Sequence, residues 1–292
     1  MASPRRVLTT EALSLPKIVW DFDPVAFATA SSQFRYYSLC LVLGLSLGYL
    51  VLSRQIERGG GAREDAGEFT VYGVLGVLVG ARAGHVFFYD LDHFLRDPLW
   101  GFQVWKGGLA SHGAVIGLAV TLYWFVRRRA IPFLDGADRL AVAVLPGAAL
   151  VRLGNLFNSE ILGRPTDGSW GIRFPRYGFG GDDLYRHPTQ LYEMALAVSV
   201  LVVLLIADRR LGKERRPRGV IAGLLLLTLF SGRFVVEFLK EPQPGEVAGL
   251  LNRGQLLSIP LIFAGAALVV YSLRRRLPAG WVVGGAETPV AV

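Results

Sequence analysis

Residue types that build covalent crosslinks and metal sites are scarce in this chain of 292 residues. Its single cysteine, Cys40, excludes an internal disulfide. Its four histidines are far apart and have no neighbouring cysteine, so the spacing typical of zinc ligands does not occur. The sequence also shows neither a P-loop nor the strand-to-helix nucleophile elbow of serine hydrolases. We therefore expect no metal ion or cofactor, and chemistry carried out by Arg, His, Asn, Glu and Tyr.

Charged residues make up only 18% of the chain, whereas 52% of its residues are hydrophobic. This balance is too apolar for an ordinary soluble domain and predicts an all-α polytopic membrane protein. The net charge of +8 comes from short basic clusters between apolar runs, which is the pattern of cytoplasmic loops. We therefore expect these clusters to contact anionic membrane lipids and expect no nucleic-acid partner.

Seven apolar runs are long enough to cross a bilayer, since one crossing needs about 20 residues. Basic residues follow the first, third, fifth and seventh runs, which predicts an N-terminus outside the cell and a cytoplasmic C-terminus. The predicted spans are 34–53, 69–89, 107–126, 140–157, 188–207, 220–239 and 255–273.

Three regions follow from this division. They are an outer N-terminal segment at 1–33, a seven-helix domain at 34–273 and a cytoplasmic tail at 274–292. The connection between the fourth and fifth spans, about 158–186, is too long for a simple turn and predicts a small cap on the outer face. The N-terminal segment shows no apolar core followed by a cleavage site, so we expect no removable signal peptide.

Strongly polar side chains occur within these spans or at their ends, and all of them fall near the predicted outer ends. A charged side chain at membrane depth costs about 2.5 to 3.5 kcal/mol on insertion scales, so its first interpretation is functional. Clustering at one level favours a single shared site over scattered structural pairs. The residues at this level are Arg35, Tyr37, Arg82, His85, His112, Arg152, Asn155, Asn158, Glu160, His187, Gln190, Tyr192, Glu193, Arg233 and Glu237.

Helical spacing refines the interpretation of individual residues. Arg233 and Glu237 share a helix face, so they form either an internal ion pair that locks two helices or part of the site. Arg152 has no acid at helical spacing on its own span, and its planar guanidinium is suited to a phosphate group. His112 is either a hydrogen-bonded packing residue or a general base, whose pKa nearby positive charge would lower.

Six segments, taken in order, carry a family resemblance. The most specific is 151–164 (VRLGNLFNSEILGR), and the others are 80–84 (GARAG), 107–113 (GGLASHG), 186–193 (RHPTQLYE), 232–242 (GRFVVEFLKEP) and 255–260 (QLLSIP). Together they resemble the prolipoprotein diacylglyceryl transferases of bacterial inner membranes, over about residues 35–273.

The resemblance implies a reaction. It implies transfer of a diacylglyceryl group from phosphatidylglycerol to the lipobox cysteine of a preprolipoprotein, with release of glycerol phosphate. The implied partners are phosphatidylglycerol and signal peptides that contain a lipobox cysteine. The implied location is the bacterial inner membrane, with an active site that faces the outer leaflet, which agrees with the clustering of polar residues.

The resemblance also implies residue roles. Arg152 and Arg233 would hold the lipid phosphate, and His112 would remove the proton of the acceptor thiol. Asn155 and Tyr37 would orient the lipid or polarise its phosphate. The remaining expected site residues support binding: Glu160 and Glu237 fix the arginines, Gly163 permits a turn beside the headgroup, and Arg82 and Asn158 contact substrate.

Some positions depart from the family pattern. They are Ser38 and Ala114 in place of glycines, His85 in place of an aromatic residue, and Lys240 in place of an arginine. None of them removes an expected phosphate or proton-transfer group.

Two other functions compete with the enzyme. The first is a non-catalytic protein of the same fold that binds lipids or signal peptides, and the second is a small-molecule transporter. A degenerate binding protein should have lost some of the polar set, yet all of it is present. A transporter should carry polar residues into the inner halves of its spans, which are nearly free of them. If His112 is not the base, Glu160 or a water held by the arginines is the alternative.

Overall fold

The computed structural model describes residues 18–166, 170–178, 183–241 and 251–280. Predictions for 1–17, 167–169, 179–182, 242–250 and 281–292 lie outside these residues. Long apolar runs form helices here because a helix pairs its own backbone polar groups. The helices are α1 (Tyr36–Arg58), α2 (Arg63–Tyr89), α3 (Leu91–Arg96), α4 (Ser111–Arg128), α5 (Phe133–Phe157), α6 (Thr189–Arg210), α7 (Val220–Val236) and α8 (Arg253–Arg275). Four 3-10 turns lie at Pro98–Phe102, Val104–Lys106, Lys213–Arg215 and Glu237–Leu239.

Six stretches of the described chain are long and apolar enough to cross a membrane. They are α1, α2, α5, α6, α8 and Val220–Leu239, which joins α7 to the turn after it. The remaining predicted span, the third at 107–126, corresponds to α4, which has only 18 residues and ends with Arg127 and Arg128. The multi-pass helical architecture is therefore confirmed. Six of the seven predicted spans are both long enough and apolar enough to cross a membrane.

The fourth predicted span begins earlier than expected. Helix α5 starts at Phe133, and its first turns contain Asp135, Asp138 and Arg139, none of which is exposed. The sequence prediction began at 140 because three charges within five residues resemble a loop. Partners elsewhere in the fold neutralise these charges, so the helix continues through them.

A buried ionic network surrounds the start of α5. Arg139 contacts Asp135 and Glu214 at 2.9 and 2.6 Å, and Arg58 also contacts Glu214, at 2.6 Å. The prediction that polar groups gather at one level is therefore incomplete. A second charged cluster lies at this end of the bundle, opposite the end at which α5 stops. Its other members are Asp208 and Arg216, which pair at 3.0 Å, and Asp138, which accepts backbone hydrogen bonds from Gly219 and Ala222 at the start of α7.

The helices pack most extensively in three pairs: α1 with α5, α2 with α4, and α7 with α8. Helices α2 and α4 meet backbone to backbone, since a β-carbon on Gly80 would lie only 2.8 Å from the Cα of Gly117. Helices α1 and α5 meet at Gly44 and Gly147. Small residues at these crossings permit the close approach.

Short strands lie at the end of the bundle where α5 stops. We call this end of the bundle the site end. Strand β1 (Ile18–Val19) pairs in parallel with β4 (Ile172–Arg173), which pairs antiparallel with β5 (Tyr185–Arg186). Strands β2 (Val25–Ala28) and β3 (Gln33–Arg35) form a separate hairpin. The N-terminal segment and the insertion after α5 therefore share one sheet, although the sequence analysis treated them as separate regions.

Candidate active site

Two polar side chains at the end of α5 begin the site. Arg152 donates from Nη1 to Asn155 Oδ1 at 3.3 Å, one helical turn later. Asn155 in turn donates to Glu160 Oε1 at 2.8 Å, and Asn158 donates to the same oxygen at 3.2 Å. Glu160 was expected to fix an arginine directly, but within the described chain it reaches Arg152 only through Asn155.

Glu193, in the first turns of α6, joins the two arginines. Its Oε2 lies 3.1 Å from Arg152 Nε, and its Oε1 lies 3.8 Å from Arg233 Nη1. The Glu193 side chain is 7% exposed, whereas those of Arg152 and Arg233 are 22% and 36% exposed. The buried carboxylate therefore contacts both guanidinium groups, which themselves remain partly exposed.

Lys240 balances the charge of this arrangement. Its Nζ lies 2.9 Å from Glu193 Oε1 and 3.2 Å from Glu237 Oε1. Glu237 also contacts Arg233 Nη2 at 3.3 Å, across one helical turn. The sequence left open whether Arg233 and Glu237 form an internal ion pair or belong to the site. They form the ion pair, and the pair lies in the same cluster as Arg152. Three cations, Arg152, Arg233 and Lys240, face the carboxylates of Glu193 and Glu237.

The start of α8 supports Glu237 from the other side. Asn252 donates from Nδ2 to Glu237 Oε2 at 3.2 Å and forms a capping box with Gln255. Gly254 lies so close that a β-carbon there would be 2.5 Å from a carboxylate oxygen of Glu237. Only glycine fits at that position without moving the acid.

The loop after α5 is held by close backbone contacts. Ser159 and Ile161 adopt positive φ angles of 51° and 58°, which L-residues rarely do. The Glu160 carbonyl between them accepts a hydrogen bond of 2.7 Å from the buried Gln190. Gly163 was expected to permit a turn, but its φ is not positive. Instead it lies between the backbone carbonyls of His187 and Leu239, where a β-carbon would overlap both.

Tyr37, at the start of α1, faces the same cluster. A β-carbon on Gly154 would lie 2.7 Å from the Tyr37 ring, so this glycine lets the tyrosine pack against α5. Tyr37 lies within electrostatic range of Glu160 and Arg152. The neighbouring Tyr36 instead stacks on Phe157, with ring centroids 4.7 Å apart. The two neighbouring tyrosines therefore have different surroundings, and only Tyr37 faces the polar cluster.

An apolar cavity of about 560 Å³ opens beside this cluster, between α1, α2, α4 and α5. Tyr37 and Ser111 line its wall near the site end. Its other end is bounded by Tyr49, Leu52 and Phe69, and Leu52 and Phe69 belong to a buried apolar core. Its volume falls in the range of small-ligand pockets, roughly 300 to 1,000 Å³.

His112 lies at the start of α4, close to this cavity but outside the polar cluster. Its ring contacts those of Phe88 and Tyr89 at centroid distances of 5.2 and 5.8 Å. The neighbouring Ser111 lines the cavity. Among the residues that the structure describes, no hydrogen bond joins His112 to the arginines, so any role as a base must be played toward a bound substrate.

Arg82 is the site residue whose surroundings differ most from expectation. It is 4% exposed and donates to the carbonyl oxygens of Trp100, Gly101 and Gly107 at 2.6, 2.9 and 2.7 Å. Its guanidinium also lies 4.2 Å from the centre of the Trp100 ring. These contacts use its donors to hold the loop between α2 and α4. The expected contact of Arg82 with substrate has no support in this geometry, and we assign it the positioning of this loop.

Comparison with known proteins identifies the family of the chain. The sequence profile of the family described as prolipoprotein diacylglyceryl transferase matches residues 24–271. The chain belongs to this family. It is 38% identical over 262 residues to the phosphatidylglycerol–prolipoprotein diacylglyceryl transferase of Pseudoalteromonas atlantica, covering 88% of this chain and 91% of that one. The identically named proteins of Vibrio cholerae (38% identity, 88% and 94% coverage) and Tolumonas auensis (36%, 89% and 99%) are similar over nearly their whole length.

Four residues of this cluster received no role of their own in the sequence analysis, although Gln190 and Glu193 were among the polar residues expected at the outer ends. They are Gln190, Glu193, Lys240 and Asn252, and all of them contact Glu160, Glu237 or the arginines. Glu193 and Gln190 stand in a segment that carried the resemblance, which was the available signal. None of the described residues forms a group of three His, Cys, Asp or Glu side chains that could hold a metal ion.

Proposed function

We propose that the protein transfers the diacylglyceryl group of phosphatidylglycerol to the thiol of the lipobox cysteine of a preprolipoprotein. The thiol sulfur attacks the glyceryl carbon that carries the phosphate ester. The C–O bond to the phosphate breaks, a C–S thioether forms, and glycerol phosphate leaves with the electron pair. The thiol proton passes to a base. The relatives, which are named phosphatidylglycerol–prolipoprotein diacylglyceryl transferases, support this reaction.

The observation that carries the proposal is the pair of arginines held on Glu193. Both side chains are partly exposed and lie beside the same carboxylate, so the two guanidinium groups can approach one phosphate group. Negative charge grows on that phosphate as the C–O bond breaks, so the arginines stabilise the transition state more than the ground state. Asn155 and Tyr37 lie beside Arg152 and orient the phosphate ester or the glyceryl group.

The adjoining cavity supports a lipid donor. An apolar chain placed there would gain roughly 25 cal/mol for each Å² removed from water, although a chain that comes from the bilayer gains mainly contacts. Because the cavity begins at Tyr37, next to Arg152, one ligand can place its phosphate at the arginines and an acyl chain between α1 and α2.

We assign proton removal to His112. Only the thiolate is strongly nucleophilic, so the acceptor cysteine needs a base within hydrogen-bonding reach. His112 lies at the start of α4, next to cavity-lining Ser111, where a peptide entering beside the lipid would pass. If His112→Gln keeps near-normal turnover, the role passes to Glu160 or to a water held by the arginines.

The membrane placement is also a proposal. Helix α4 completes the set of seven spans as the third of them, and the basic loops after α1, α4, α6 and α8 face the cytoplasm. The site end and the sheet made by β1, β4 and β5 then face outward, and the sheet serves as the cap. A bacterial inner membrane would supply phosphatidylglycerol in its outer leaflet and translocated signal peptides at the same level.

The test uses the purified protein, labelled phosphatidylglycerol and a synthetic lipobox peptide. We expect the parent to form the thioether, Arg152→Ala to lose at least about a hundredfold in rate, and Arg152→Lys to recover part of it. Arg173→Ala, in the strand sheet, is the matched control and should keep its rate. Binding of lipid or peptide without thioether formation by the parent would contradict the proposal and favour a non-catalytic binding protein.

A further inference from the structure

The cavity between α1, α2, α4 and α5 has a defined depth. Tyr37 lines its end near the site and Tyr49 its far end, and twelve residues of α1 separate them. At 1.5 Å of rise per residue the cavity is about 18 Å long. One leaflet of a bilayer has a hydrocarbon thickness of about 15 Å, half of the roughly 30 Å core. The cavity therefore matches one extended acyl chain of a lipid in a single leaflet.

The far end of the cavity is closed by packed side chains. Leu52 and Phe69 are each 5% exposed and belong to a core that also contains Phe125 and Val126. This end cannot lengthen without disturbing that core, since interiors are packed as densely as organic crystals. Along the flank, Leu41, Leu45 and Val74 are each at least 40% exposed, so the cavity opens sideways between α1 and α2. A chain can thus enter from the side but cannot extend past the closed end.

We propose that this cavity measures the acyl chain of the lipid donor and sets the chain length that the enzyme prefers. The inference rests on the proposed function and names the feature of the lipid that the site selects. With about 1.25 Å per methylene for C–C bonds of about 1.5 Å, the depth accommodates about 14 methylene groups. Longer chains must bend or leave apolar atoms outside the cavity, and shorter chains leave part of it empty.

Gly147 is the position at which the depth can be changed. It lines the cavity from α5, and a β-carbon added there would meet no atom nearer than 3.8 Å, so an added methyl group makes only ordinary contacts. Gly147 faces Gly44, which is seven residues from Tyr37, or about 10 Å along the helix. A leucine at 147 should therefore close the cavity at about eight methylene groups. Gly73 on α2 is an independent site for the same change, because a β-carbon there lies 3.5 Å from Leu118.

The experiment is a competition in one tube. Phosphatidylglycerols with two 10-carbon or two 16-carbon chains are mixed in equal amounts with the lipobox peptide, and mass spectrometry counts the two thioether products. Their ratio reports relative kcat/KM and is independent of how much enzyme is folded. We expect Gly147→Leu and Gly73→Leu each to shift the ratio toward the short chain by at least about tenfold, the effect of roughly two methylene groups losing their contacts. Gly147→Ala, which adds one methyl group, is the matched control and should shift it by less than about threefold.

The outcomes separate the two proposals. A parent that forms neither thioether contradicts the proposed function and this inference with it. A parent that is active, with product ratios unchanged in both leucine variants, contradicts the chain-length inference alone. If the leucine variants instead change how the rate depends on the length of the apolar part of the peptide, the cavity holds the signal peptide and the inference is wrong.

Discussion

At the scale of single residues, charge balance decides how strongly the site can hold a phosphate. Glu193 contacts Arg152, Arg233 and Lys240, so one carboxylate is shared by three cations. Without Lys240, the charges of Glu193 and Glu237 would be balanced by the two arginines alone. In the proposed function, the lysine leaves part of the arginine charge for the lipid phosphate, because it neutralises the carboxylates from the buried side.

Lys240→Met should therefore weaken lipid binding without removing any group that touches the reacting atoms. We expect the KM for phosphatidylglycerol to rise about tenfold, with a smaller fall in kcat and little change in the KM for the peptide. Lys240→Arg keeps the charge and should restore most of the lipid affinity. Steady-state kinetics with each substrate varied in turn would check this. Equal rises in both KM values would point to a general loss of structure instead.

Glu193→Gln tests the positioning of the arginines. The amide keeps the shape but loses the charge that holds both guanidinium groups, and truncating one partner of a buried ion pair costs about 3 to 5 kcal/mol. We expect kcat to fall by at least about a hundredfold while the protein still folds. Glu241→Gln, which changes a carboxylate that contacts Arg186 and Tyr177 of the insertion, is the comparison variant and should retain activity. A Glu193→Gln variant with normal kcat would show that the arginines are positioned without this acid.

At the scale of helices, glycines set the distance between α2 and α4. A β-carbon on Gly80 would lie 2.8 Å from the Cα of Gly117, and this neighbour is backbone that cannot rotate away. The same helix pair forms one wall of the cavity, with Ala81 on α2 and Ala114 on α4 among the lining residues. The spacing of the helices therefore also sets the width of the cavity.

Gly80→Ala should force α2 and α4 apart. Overpacking of this kind costs about 1 to 3 kcal/mol. We expect a lower melting temperature in detergent and a loss of preference between lipids of different chain length. Gly147→Ala is the paired comparison, since its added methyl group meets only ordinary contacts and gains up to about 1 kcal/mol of helix propensity. Equal melting temperatures for the two variants would contradict the close packing.

At the scale of the whole molecule, two charged clusters lie at opposite ends of one apolar bundle. The far cluster joins α1, α5, α6 and the loop before α7 through Arg58, Arg139, Glu214 and Arg216. Burial tends to raise the pKa of the Glu214 carboxyl, but hydrogen bonds from Arg139 and Arg58 outweigh it and hold the pKa below its usual 4.5. This cluster stabilises the fold. In the part of the chain that the structure describes, Arg58, Arg139 and Arg216 are each paired with carboxylates, which leaves no guanidinium of the cluster for a ligand.

Glu214→Gln should lower stability in a pH-dependent way. A carboxyl with a depressed pKa contributes stability above its unfolded pKa and loses it as pH falls through the folded pKa. We expect the parent to be about 1 to 3 kcal/mol more stable than the variant from pH 7 to about 5, with the difference shrinking below pH 4.5. Thermal unfolding in detergent across this range would measure it. Asp183→Asn removes an exposed ion pair with Arg173 and should change little at any pH.

Much of the candidate site could be predicted because its members stand in short local patterns. Arg152 and Asn155 are one turn apart, as are Arg233 and Glu237, and the structure brings both pairs into one cluster with Tyr37 and Glu160. Two residues were placed differently from expectation. Arg82 serves a loop, and His112 packs on aromatic rings. Sequence position could not show this, because it does not specify which face of a helix turns toward which neighbour.

The sequence by itself determined the class of protein, the positions of its main helices and its family. These properties depend on continuous apolar runs and on motifs of a few adjacent residues, which keep their meaning in any tertiary arrangement. Only the tertiary structure decided that Glu193, 41 residues from Arg152 and 40 from Arg233, is the acid that joins them. It also decided where the cavity lies and why the first turns of α5 can contain three charged residues. These features are made by side chains that are distant in sequence, and their energies exist only when the partners meet.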